Sequence, residues 1–183
     1  MTIKNISDYL EEIAPLNQAE DFDNVGLLIG NETTEVEGIL VTLDTLEETV
    51  DEAIKKKCNL IVSFHPIIFS GLKKINGNSY VEKVVLKAIQ NNIAIYATHT
   101  ALDNSKVGVS SKMCEKLGLI NYNILLPKED GNTGMGMIGD LPKPMQEEDF
   151  LKFTKKTFKT NGIRFSNPTG NLEIGRASCR ERV

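Results

Sequence analysis

The sequence predicts an α/β protein with a mostly parallel sheet and flanking helices. Two observations predict it. Two short β-rich apolar runs, Asn59-Leu-Ile-Val-Ser63 and Ile93-Ala-Ile-Tyr-Ala97, have the length and continuity of strands buried on both faces. A helical stretch separates them, and the wider order β-α-β-α-β-α is that of parallel strands joined by right-handed crossovers.

Each element has its own local cause. Ile3, Ile6, Leu10 and Ile13 recur at helical spacing behind Thr2, which predicts a capped amphipathic helix over 2–13 that ends at Pro15. Residues 25–30 and 38–43 read as strands. Thr45 with Glu48 suggests a capping box for a helix over 46–57, and Lys55, Lys56 and Lys57 suit its carbonyl end. A strand at 59–63 follows, then a loop. Val81, Val84, Val85, Ala88 and Ile89 share one face of a helix near 79–91. After the strand at 93–97 come a loop over 98–106 and a helix near 107–117, closed by Gly118. Beyond Leu119 two strands are expected, 122–126 and 133–141, joined by a polar turn. Pro142 and Pro144 then introduce a helix over 146–158, and 163–165 is expected to be a short strand.

Bulk properties exclude several function classes. The chain has 183 residues, a net charge of −4 and an ordinary 40% hydrophobic content. Its pI near 5.3 gives no electrostatic footprint for nucleic acid or an anionic membrane. No apolar stretch reaches membrane-span length, and the first residues lack a signal peptide's apolar core. Cys58, Cys114 and Cys179 are scattered and odd in number, as free thiols of a reducing cytoplasm would be. Glycine spacing matches neither a phosphate loop nor a dinucleotide fingerprint, and the serines lack a nucleophile elbow.

The chemistry concentrates on two histidines, the only ones present. His65 and His99 each stand where an apolar run ends. Ligands of open α/β sheets collect outside the carboxyl ends of the strands. Pro66 keeps His65 out of the helical region, so its imidazole projects from an extended exit. Asp103, in the loop with His99, is the better ligand candidate there, while His99 could coordinate or orient. Two imidazoles and a carboxylate suit zinc, iron or manganese. Asp21-Phe-Asp23-Asn24-Val-Gly26 precedes the first strand. Taken alone it reads as an Asx-turn. Asp23 and His99 are the candidates for moving protons in catalysis, and His65 and Asp103 the candidates for holding metal. Lys73 and Lys74 lie in a basic loop after His65 that reads first as solvated, and second as a grip for an anionic substrate.

These residues together resemble the NGG-interacting-factor-three-like family of dinuclear metal proteins, the GTP cyclohydrolase I type 2 homologues. The likeness rests on Phe22-Asp-Asn-Val-Gly-Leu27, Val41-Thr-Leu-Asp44, Ser63-Phe-His-Pro-Ile-Ile-Phe69, His99-Thr-Ala-Leu-Asp103 and Gly136-Met-Ile-Gly-Asp-Leu-Pro142. The resemblance implies the first part of a two-lobed metal-binding fold, a toroidal homohexamer, and metals held by a histidine pair, an aspartate, and a later histidine and glutamate. His65 matches the second histidine of the pair and Asp103 the aspartate. His99 matches a histidine near the metals. Phe64 stands where many members have the first histidine, and phenylalanine cannot coordinate.

Residues 173–183 break from the lysine-rich usage before them. Arg176, Arg180 and Arg182 crowd a stretch that resembles an in-frame translation of a short-read sequencing adapter. The expectation is therefore a family-like domain over 1–172, truncated at its C-terminal side, and a non-native tail that packs on nothing. Two functions stay open: a cytoplasmic metal-dependent hydrolase acting on C–N bonds of a small molecule, and a non-catalytic metal-binding scaffold.

Overall fold

The computed structural model describes residues 1–178, with side chains as far as Gly175. The chain divides into two compact units, Met1–Ser105 and the part from Lys106 onward.

The first unit contains α1 (Ile3–Ile13), β1 (Gly26–Ile29), β2 (Ile39–Thr42), α2 (Glu47–Lys55), β3 (Leu60–Ser63), α3 (Tyr80–Gln90), β4 (Ala94–Ala97) and the short α4 (His99–Asp103). Its sheet runs in the order β1-β4-β3-β2. β2, β3 and β4 are parallel, with Leu60 opposite both Ile39 and Ala94. β1 is antiparallel to β4, with Gly26 opposite Ala97. The sheet is therefore mixed, which corrects the mostly parallel arrangement expected from sequence. The cause is the short link over 30–38. An antiparallel β1 finishes at the end of the sheet where β2 starts, so a few residues can join them; a parallel crossover needs a dozen or more.

β3 and β4 are buried throughout, as their uninterrupted apolar runs require. On one face of the sheet, Ile61 and Ile95 pack with Val50 and Ala53 of α2 and with Val84, Val85 and Ala88 of α3. On the other, Leu60, Val62, Ala94 and Tyr96 pack with Ile3, Ile6 and Leu10 of α1. Thr2 caps α1 as expected: Asn5 Oδ1 accepts from the Thr2 N–H at 2.9 Å, and the Thr2 hydroxyl accepts from the Asn5 N–H. The cap of α2 lies one residue later than its sequence suggests. Thr45 is buried, and the Leu46 N–H instead donates to the Thr49 hydroxyl at 3.2 Å.

The second unit contains α5 (Val109–Leu117), β5 (Ile120–Pro127), β6 (Gly134–Gln146), α6 (Glu147–Thr157) and β7 (Leu172–Ser178). Gly118 ends α5 in the left-handed conformation, φ 66°. The three strands form an antiparallel sheet in the order β5-β6-β7. Cys114, Leu117, Leu119, Met137, Leu141 and Phe150 are buried together in its core. β6 runs through Pro142 and Pro144, where the sequence suggested it should stop. A register shift between Asp140 and Met145 accommodates both prolines. The strand expected at 163–165 is absent; after α6 the chain has no regular structure until β7. Of the stretch 173–183, residues 173–178 lie in β7, paired with β6. Residues 179–183, Cys179 included, lie outside the described residues. The expectation that this stretch packs on nothing is thereby corrected for residues 173–178. Strand pairing uses backbone groups that almost any sequence supplies, so β7 leaves only the origin of the stretch untouched.

Candidate functional site

β3 and β4 are adjacent and parallel, with Ser63 opposite Ala97, so the residues just after them leave the sheet side by side. Phe64 and His65 follow β3; Thr98 and His99 follow β4. The pairing carries on past the strands, because the His99 N–H donates to the Phe64 carbonyl at 2.9 Å. The two imidazole rings sit 5.6 Å apart between centroids. Phe64 is buried and meets both edge-on, at 5.1 Å from His65 and 5.5 Å from His99.

Each histidine has its own carboxylate. Asp44, two residues beyond β2, lies 2.6 Å from His65 Nδ1. Asp23, before β1, holds His99 Nδ1 at 2.8 Å. An imidazole with its Nδ1 proton on a carboxylate has its lone pair on Nε2, which suits it to bind a cation or accept a proton. The His65 ring is about one-fifth exposed and its partner Asp44 about half. The Asp23 carboxylate is closed off from solvent.

Burial pushes the Asp23 carboxyl upward, but its donors prevail and hold it below the ordinary 3.8. The Thr100 hydroxyl makes a very short bond to it, the Thr100 and Asn24 N–H groups donate at 3.1 and 2.8 Å, and His99 supplies the ring contact. The Thr100 hydroxyl also accepts the Glu20 N–H at 3.0 Å, which fixes its proton toward Asp23. His99 itself takes φ 25°, a backbone conformation that non-glycine residues seldom adopt. Strain of this kind persists where surrounding bonds impose it, and it clusters at functional sites.

The structure thus brings together Asp23 and His99, the candidates for proton movement, and sets His65 beside them. Asp103 lies buried at the end of α4, four residues after His99. The segment expected as a loop over 98–106 includes that short helix. Among the described residues, no three His, Cys, Asp or Glu side chains form a group that would hold an ion by themselves. Sequence reasoning had no role for Asp44 or Thr100. Asp44 was visible only as a strand-end carboxylate, and the signal that could have found it is its place at the exit of a third parallel strand.

An α/β sheet with two carboxylate-bound imidazoles at adjacent strand exits defines a histidine-centred site on a mixed-sheet scaffold. The chain belongs to the Duf34/NIF3 (NGG1p interacting factor 3) family, whose model matches residues 1–176. It is 34% identical over 167 residues to the GTP cyclohydrolase 1 type 2 homolog of Clostridium acetobutylicum, covering 90% of this chain and 62% of that relative. The homolog of the same name in Staphylococcus epidermidis is 41% identical over 125 residues, which cover 68% of this chain and 34% of that protein. The chain therefore spans about a third to two-thirds of the length of these relatives. Staphylococcus aureus hypothetical protein SA1388 superposes with a TM-score of 0.88 at 29% identity, over 97% of this chain and 71% of its own. The Bacillus cereus protein related to NIF3 shares the fold at a TM-score of 0.88 and 23% identity, over 97% of this chain and 75% of its own.

Proposed function

We propose that this chain carries part of a divalent-metal centre of a metal-dependent hydrolase, with His65 and Asp103 as ligands and Asp23–His99 as the proton-moving pair. The observation that supports this most is the pair of carboxylate-bound imidazoles at adjacent strand exits. Carboxylates behind ring nitrogens are the usual support of metal-binding histidines. The donor set fits zinc, iron or manganese but is short of the three or four protein ligands a zinc ion takes. When bound, such a cation supplies Lewis acidity and lowers the pKa of a coordinated water. Asp44 orients His65, and Asp23 fixes the ring of His99 so that Nε2 can accept a proton from a nearby water or substrate group. GTP ring opening at C–N bonds is the reaction suggested by the relatives' names. The same reading assigns the protein to the cytoplasm as a homohexamer; no described helix is long and apolar enough to cross a membrane.

Phe64 favours a second reading, a non-catalytic metal-binding scaffold. It places an apolar ring at the position where the family resemblance implies a ligand, in contact with both histidines.

Titration of the metal-free chain with zinc and with manganese, followed by calorimetry, tests the centre. Weak binding is expected, lost in His65→Ala and in Asp103→Ala and strengthened in Phe64→His. Tight stoichiometric binding that survives both alanine substitutions would show that other residues hold the ion. GTP turnover by the longer relatives separates the two readings, because this chain alone is expected to be inactive. Turnover there that depends on metal supports the hydrolase, and metal binding there without turnover supports the scaffold.

A further inference from the structure

Two exposed aromatic rings stand beside the histidine pair, and neither has a part in the core. Phe69 is half exposed and meets His99 edge-on at 6.2 Å. Phe22 is 39% exposed and lies 6.3 Å from Phe69 at an interplanar angle of 52°. They belong to separate loops, one before β1 and one after β3. The Asn24 amide joins those loops by donating to the Ile68 carbonyl at 2.6 Å. The neighbour on its N-terminal side, Asp23, is anchored to His99 and Thr100. The loop segments that carry both rings are therefore anchored by bonds next to them in sequence, although solvent reaches the rings.

Large exposed apolar side chains normally need no explanation when scattered singly. Two of them fastened together over a buried carboxylate–histidine pair are a different case. Rings inclined to each other form walls against which a planar ring can stack on one face and present its edge to the other, the two geometries aromatic pairs prefer. A saturated ring of similar size would gain apolar contact there but no such orientation.

We propose that Phe22 and Phe69 form an aromatic clamp that selects a ligand with a planar aromatic ring and holds it over the His65–His99 centre. The clamp makes Phe22 and Phe69 specificity-determining residues, and Asn24 the residue that positions them. It rests on the reading of that centre as the active site, but it requires no metal for its own binding step.

The test uses the full chain stripped of metal, with 2-naphthol and its saturated counterpart decahydro-2-naphthol as probes, followed by NMR titration. The two share a hydroxyl and a carbon skeleton and differ in planarity. The chain is expected to bind 2-naphthol about five-fold or more tightly than the saturated probe, a gap the size of one or two aromatic contacts. Phe22→Leu with Phe69→Leu should abolish the gap, and Phe69→Tyr should retain it. These are surface changes; an unaltered thermal midpoint verifies that each variant is folded. Equal affinity for the two probes, or a gap that persists in the double leucine variant, would overturn the clamp. Zinc titration of the double leucine variant distinguishes this outcome from failure of the metal reading, because losing the clamp should leave zinc binding as in the parent. Absent zinc binding in a parent that keeps the naphthol preference would sink the metal reading alone.

Discussion

The Asp23 carboxylate is closed off from solvent and yet held in its ionised form, and the difference is made by donors from Thr100, His99 and Asn24. Because its folded pKa lies below the unfolded value, the carboxylate contributes stability that is present above pH 3.8 and is lost as the pH falls through the folded value. Asp23→Asn should cost about 1–3 kcal/mol at neutral pH, since the Thr100 and His99 donors would face an amide in place of an anion. It should also flatten the acid limb of the stability curve. Urea denaturation at pH 7 and at pH 3 checks both, and a variant that loses as much stability on acidification as the parent would place the titrating group elsewhere. Gly30 is a second position where one residue decides much. It sits at φ 116°, and an added Cβ would come within 2.6 Å of the Ala94 side chain and 3.0 Å of the Ala94 backbone. Gly30→Ala is expected to lose more than about 1 kcal/mol, because both the backbone conformation and the space forbid it.

At the scale of elements, what the sequence disclosed depended on how local the cause was. α1 and α3 were legible because their apolar stripes recur within a few residues, and α1 also because Thr2, its cap, stands directly before its stripe. The Ser79 cap of α3 emerged only in the structure. β3 and β4 were legible from unbroken apolar runs. The direction of β1 was not, since no residue within Gly26–Ile29 records whether its partner runs with it or against it. The continuation of β6 past Pro142 and Pro144 was equally hidden, because the shift in register that tolerates them depends on a distant strand. The site followed the same division. His65, His99 and Asp103 could be read as donors at the ends of recognisable strands, whereas Asp44 and Thr100 acquire their partners only in three dimensions. β7 carries its own prediction: removing residues 172–183 should leave the amides around Ile138 to Asp140 on β6 without a neighbour on that side. Their hydrogen exchange should accelerate while that of β3 and β4 is unchanged. Uniform acceleration across both sheets would mean that β7 supports the whole chain.

For the whole molecule, the prediction concerns how the proposed metal site divides between this chain and its longer relatives. The chain spans 62% of its Clostridium acetobutylicum relative, and its described residues provide no three-residue metal group. Zinc should therefore bind the longer relative at least about ten-fold more tightly than it binds this chain, as one more ligand in the coordination shell would imply. Competition of the two proteins for a limiting amount of zinc measures the ratio directly. Equal sharing would show that this chain already holds the complete set.

The reversed course of β1 matters more than its four residues suggest. Because it runs against β4, its beginning, and not its end, lies level with Ala97. Were it turned around, Asp23 would stand at the opposite rim of the sheet, about 13 Å farther away at 3.3 Å per residue. His99 would then lose the carboxylate that its Nδ1 contacts, and Thr100 would lose the acceptor for its hydroxyl. Asn24 could no longer reach the loop that carries Phe69. The polarity of one short edge strand thus sets the chemical character of a histidine two strands removed from Asp44, without contributing a single side chain of its own.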